Sequence, residues 1–130
     1  MGDPSELALT VRQSFEPSMT IEITLPLDEL ETAHLVQHSG VIGPGRETLH
    51  TTLEMRHRLR LVRLLDGMSL SYTSSGALGL DGTAYHLFVR HRENSMTLQW
   101  WQVVPVEWTG VSDLVDEVLL LRGSLLSGLR

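Results

Sequence analysis

Apolar and polar residues alternate along the first quarter of the chain. Leu7, Leu9 and Val11 alternate with polar or small neighbours, and Met19, Ile21, Ile23 and Leu25 alternate strictly with Thr20, Glu22 and Thr24. A period of two is the mark of a strand with one buried face. Glu16-Pro17-Ser18 interrupts the pattern and Pro26 ends it. The spacing therefore predicts two strands joined as a hairpin across Phe15–Ser18.

Residues 27–39 carry no single period. Leu27, Leu30 and His34 fit a helix, whereas Ala33, Leu35 and His38 do not resolve the choice. Gly40 and Gly43-Pro44-Gly45 disfavour the interior of either element and predict a turn between strands. From 49 to 65 two periods compete. Leu53, Met55, His57, Leu59 and Leu61 alternate, while Met55, Leu59, Val62 and Leu65 form a helical stripe. Thr51-x-x-Glu54 has the form of a capping box and Gly67 stands at a C-cap position. These end signals favour a helix from about Leu53 to Asp66.

Ser74-Ser75-Gly76 and Gly79–Gly82 are loop chemistry. Tyr85, Leu87 and Val89, alternating with His86, Phe88 and Arg90, predict a strand buried on both faces. Glu93-Asn94-Ser95 predicts a turn, and Met96, Leu98 and Trp100 the returning strand, stopped by Pro105. Val111, Leu114, Val115, Val118, Leu119 and Arg122 repeat at helical period, with Thr109 or Ser112 as N-cap. Asp113, Asp116 and Glu117 in its first half and Arg122 near its end suit the helix macrodipole. The expectation is one domain over residues 1–130, with 1–6 disordered and 123–130 a frayed tail.

Composition narrows the class. With 130 residues the chain can bury one core, and 42% hydrophobic against 20% charged residues argues against disorder. The absence of cysteine removes disulfides, thiolate metal sites and cysteine nucleophiles, and suits a reducing cytoplasm. No apolar run reaches the ~18–20 residues that span a bilayer. The first thirteen residues also lack the basic start of a signal peptide. Basic residues that are all arginine, a single asparagine (Asn94) and scarce isoleucine suggest a GC-rich, bacterial coding sequence. The net charge of −6 opposes nonspecific nucleic-acid binding, although residues 56–92 hold six arginines against two acids.

Candidate chemistry is sparse. Six histidines (His34, His38, His50, His57, His86, His91) raise a metal site. On a helix, His34-x-x-x-His38 would pair two imidazoles as zinc helices do. On a strand the two sit about 13 Å apart and cannot share an ion. No metal and no cofactor is expected. Arg56, His57, Arg58, Arg60 and Arg63, with Arg90-His91-Arg92, could meet phosphates. The simpler expectation is a solvated face paired with the acidic segments. No nucleophile elbow, phosphate loop or dinucleotide fingerprint occurs, so no catalytic residue is assigned. Asp28, Glu29 and Glu31 form an acidic cluster. Trp100 and Trp101 must point to opposite faces of their strand; strand periodicity alone leaves open which is buried. An exposed tryptophan is a common binding anchor.

Several landmarks resemble those of an uncharacterised family of small bacterial α+β proteins. They are Ser14-Phe15-Glu16-Pro17, Gly43-Pro44-Gly45, the loop Gly79-Leu80-Asp81-Gly82-Thr83 with Tyr85-His86-Leu87, Trp100-Trp101 before Pro105, and a closing helix. The likeness runs from about Leu7 to Leu121. It departs at the tandem tryptophans, where a single aromatic beside a basic residue is expected. It implies the order β-β-β-β-α-β-β-α, with 31–38 a strand and 53–66 a helix. It brings no activity or catalytic residue. Members look like small proteins encoded beside bacterial toxins or secretion genes, which implies immunity or adaptor roles.

Together these readings predict an α+β fold, an antiparallel sheet of about six strands with two helices packed on it. The expected function is non-enzymatic: a cytoplasmic protein that binds a protein partner, foremost an immunity protein neutralising a bacterial toxin. A protease inhibitor or adaptor of the same fold is the alternative, and an enzyme or metal protein using the histidines the contrasting class. Neither nucleic acid nor membrane is an expected partner. The candidate partner-binding residues are Trp100, Trp101, Asp28, Glu29 and Glu31.

Overall fold

The computed structural model describes residues 4–13, 18–28, 30–39, 47–68, 83–92, 94–104 and 108–126. The elements are β1 (Ser5–Gln13), β2 (Met19–Leu25), β3 (Ala33–Ser39), β4 (Glu47–Leu53), α1 (Met55–Asp66), β5 (Thr83–His91), β6 (Asn94–Trp101) and α2 (Val111–Leu126). The strands form one antiparallel sheet in the order β4-β3-β2-β1-β5-β6. The α+β class and the order of elements are as predicted. Outside the described residues lie Phe15–Pro17, Glu29, Gly40–Gly45, Ser74–Gly76, Gly79–Gly82, Glu93 and Pro105.

Register explains the layering. Leu7 pairs with Ile23 and Val89, Leu9 with Ile21 and Leu87, and Leu35 with Ile23. One side chain in two from each central strand therefore meets on a single face, and these residues are buried with Leu98 and Trp100 of β6. Leu61 and Leu65 of α1 and Val111, Leu114, Val115, Val118 and Leu121 of α2 complete the same core. Full burial of each aliphatic side chain contributes about 1.5–3 kcal/mol. The other face carries the alternate residues, among them Thr10, Thr20, Glu22, His34, Val36, His50, His86, Phe88 and Arg90. All are half-buried or exposed. Strand β5 is thus buried on one face, where its sequence predicted two.

Local competition is settled by pairing. Thr51 and Leu53 stay in β4, opposite Leu35 and Ala33, so the helix begins at Met55. Glu54 takes the N-cap position predicted for Thr51, and its N–H donates to His57 Nδ1 at 3.3 Å. Gly67 does close α1, but at φ −91 rather than in the left-handed region. Residues 33–39, undecided by period, form β3 because β2 and β4 hydrogen-bond both its edges. Strand β1 takes in Ser5 and Glu6, earlier than expected, and α2 runs on through Leu126. Asn94 pairs with His91, so Asn94 and Ser95 belong to β6 and the reversal contains Arg92 at φ 58.

At the start of α2 neither Thr109 nor Ser112 is the cap. Leu114 N–H bonds Gly110 O at 3.1 Å, and Gly110 sits at φ 84. A Cβ there would lie 3.3 Å from both Gly67 O and Met68 Cα, so glycine permits the close approach of the two helix ends. The helices are further tied by an Arg60–Glu117 ion pair, and Arg122 Nε donates to Gln37 Oε1 at 2.6 Å, anchoring α2 over β3.

Candidate functional site

The sheet has two ends. At one lie the turn after β2, the start of β1 and the reversal between β5 and β6; at the other lie Gln13, Met19, Thr83 and Trp101. The seven residue steps from Ala84 to His91 separate them by about 23 Å. Helix α1 begins beside the first end, and its Arg58 makes the decisive contact there. Although charged, Arg58 is only 8% exposed. Its guanidinium donates to the carbonyls of Glu31 (2.7 Å), Pro26 (3.0 Å) and Asp28 (3.3 Å). The loop is also closed internally, Leu30 N–H donating to Asp28 Oδ1 at 2.9 Å and Glu31 N–H to Asp28 O at 3.1 Å. An Asx-type turn of this kind fixes the backbone by side-chain acceptance.

The fixed loop holds Leu30 93% exposed, beside the exposed Leu27. Between this loop and α1 runs a groove of about 230 Å³, its apolar wall built from Leu25, Leu27, Met55, Leu59 and Val62. Met55 and Leu59 are themselves exposed. Ser5, Pro26, Arg58, His91 and Arg92 complete its lining, while Asp28 and Glu31 are exposed on the adjoining loop. This apolar cluster escaped prediction because Leu27 and Leu30 fall where no period holds. Their placement beside the turn acids Asp28, Glu29 and Glu31 is the signal the chain offers.

The predicted partner residues do not come together. Asp28 and Glu31 share the loop just described, and Glu29 lies outside the described residues. Trp100 is 3% exposed, stacked on Tyr85 (centroids 5.2 Å, 8° between planes) and edge-on to Trp108 at 6.3 Å. It is a core residue and leaves the candidate surface. Trp101 points to the opposite face, as strand geometry requires, and is half-buried at the far end of the sheet. There Gln102 fixes the strand end by accepting from Thr83 N–H at 2.7 Å and donating to Thr83 O at 2.8 Å.

The basic segment is largely consumed within the molecule. Arg90 pairs with Glu6 at 2.9 Å, Arg56 with Glu54 at 3.0 Å, Arg60 with Glu117, and Arg92 with Asp66 at 3.1 Å. Ser5, His91 and Asp66 form a chain: Ser5 Oγ to His91 Nδ1 at 2.8 Å, His91 Nε2 to Asp66 Oδ1 at 2.6 Å. The residue types are those of a nucleophilic triad. However, Ser5 is only 7% exposed, and Asp66 is also gripped by both Arg92 Nε and Nη2. The chain joins the start of β1, the end of β5 and the end of α1, and we read it as a structural clasp. The hydrogen bonds from Arg92 and then His91 hold the Asp66 carboxyl below the usual carboxylate range.

His34 and His38, on one strand, do not meet. His38 instead contacts Glu22 and Thr48, while His34 meets His50. Among the described residues no three histidine or acidic side chains converge to hold a metal ion. Nor is any helix there long and apolar enough to cross a membrane. Comparison with family models and with curated proteins finds no match for this chain.

Proposed function

We propose that this is a non-enzymatic binding protein that docks a basic protein partner at the groove between the β2–β3 loop and α1. One observation carries the reading: a loop braced by the Arg58 guanidinium and an Asx turn holds Leu30 out in solvent and contributes Leu27 to an open apolar groove. A loop backbone held in that position has already lost much of its conformational freedom, so docking a partner against it costs little loop-ordering entropy. An apolar centre with a polar rim is the usual anatomy of a protein interface. The exposed Asp28 and Glu31 of that loop and a net charge of −6 favour a basic partner and faster encounter with it, the Arg92 that also lines the groove being paired with Asp66. In a bacterial cytoplasm, neutralisation of a toxin is the role we favour. The support for it is small size, acidic charge and sequence landmarks that resemble those of small proteins encoded beside toxins.

Affinity capture at low salt, followed by calorimetry with the partner recovered, tests the reading. Leu30→Asp and Leu59→Asp should each weaken one-to-one binding by about 2 kcal/mol or more, ~30-fold. Trp101→Ala, at the far end, should leave it intact. Loss confined to Trp101→Ala would move the interface to the other end of the sheet. If no basic protein is retained under any condition, the binding reading falls.

A further inference from the structure

The face of the sheet opposite the helices places histidines from adjacent strands side by side. His50 on β4 lies opposite Val36 on β3, which makes it the diagonal neighbour of His34. The two rings approach with centroids 4.9 Å apart and planes tilted by 33°, and His50 Nε2 lies 3.0 Å from His34 Nδ1. Both residues face outward, His34 half-buried and His50 exposed, so the pair serves no core contact. Two ring nitrogens held this close on paired strands need only a rotation of each ring to converge on one ion.

We propose that His34 and His50 form a two-imidazole site for a divalent transition metal of the zinc, nickel or copper class, with water in the remaining positions. An ion about 2.0–2.1 Å from each nitrogen would separate them by about 2.9 Å at a right angle and about 3.4 Å in a tetrahedron. The observed separation falls between these limits. Imidazole nitrogen suits these ions better than it suits magnesium or calcium. The proton balance is simple. In the hydrogen-bonded pair one of the facing nitrogens carries a proton. Moving that proton to the far nitrogen of its own ring exposes both lone pairs, so two neutral rings bind the ion without net proton release. His38 is not a third ligand, because Nδ1 is engaged by Thr48 at 3.3 Å and Nε2 by Glu22 at 3.4 Å. The site stands apart from the docking groove, on the other face of the sheet, and does not depend on it.

The test is titration of the full, untagged chain with zinc chloride and with nickel chloride, read by calorimetry and by the imidazole resonances of the nuclear magnetic resonance spectrum. One equivalent should bind, with the His34 and His50 resonances moving first. His34→Ala and His50→Asn should each weaken uptake by more than ~10-fold, since even outer-shell substitutions at metal sites cost about that much. His34→Gln supplies a second variant in case alanine disturbs β3, and circular dichroism checks that each folds. His38→Ala and His86→Ala should bind as the unaltered protein does. Binding that survives loss of His34 and of His50, or no stoichiometric binding at all, overturns the assignment.

Discussion

Asp66 ends α1 and accepts hydrogen bonds from Arg92 and His91, so the folded state favours its ionised form. A carboxyl depressed in the folded state contributes stability that is present above its unfolded pKa, near 3.9, and is lost as the pH falls through the folded value. Asp66→Asn should therefore lower stability at neutral pH, with the gap to the unaltered protein closing in acid below about pH 4. Its side chain is 43% exposed, so solvent screening keeps the neutral-pH loss under about 1 kcal/mol. Urea titrations at pH 7 and pH 3 read the difference, and a gap of equal size at both would remove the clasp from the account of stability. Trp100 and Trp101 make the complementary point at this scale. Residue type is the same, and only the parity of position along β6 sends one into the core and the other to the opposite face.

At the scale of the element, α1 is amphipathic in an unusual way. Its inner stripe is Leu61 and Leu65, yet Arg58, one turn earlier, is buried as well. The long stem covers apolar surface while the guanidinium satisfies three loop carbonyls. Arg58→Met keeps most of the stem and removes those donors. Charge-assisted hydrogen bonds are each worth about 1.5–3 kcal/mol, less where water can replace them. The expected loss is about 2 kcal/mol, seen as a lower urea midpoint at unchanged slope. The amides of Leu30 and Glu31 should also exchange faster with solvent. If they remain as protected as before, the Asx turn alone holds the loop and the helix is not its brace.

For the whole molecule, the sheet order places β1 inside the sheet, flanked by β2 and β5, with β4 and β6 at the edges. Opening a central strand breaks two ladders and uncovers the core, whereas an edge strand can leave alone. Native-state hydrogen exchange should find the slowest amides in β1, at Leu7 and Leu9, and faster ones in β4 at Leu49 and Thr51. The reverse order would show that the helices, not the sheet, form the last unit to open.

The alternation of residues 7–11, 19–25 and 85–89 was sufficient to specify strands, and the apolar spacing after Val111 to specify the last helix. A two- or 3.6-residue period is a local property of backbone geometry, so it is written into neighbouring positions. The helix start at Met55 was not legible in that way. Thr51 and Leu53 belong to β4 because a partner strand claims their hydrogen bonds. The acids Asp28 and Glu31 could be named from the chain, but Leu27, Leu30, Met55 and Leu59 become a surface only once Arg58 draws the loop against α1. Likewise, His34 and His50 are sixteen positions apart and meet through the register of β3 with β4. Where one period held, as over residues 7–11, 19–25 and 111–122, sequence alone determined which element forms and which of its faces is apolar. The tertiary structure decided which side chains from distant elements stand together, because that depends on pairing and packing between segments rather than on any local period.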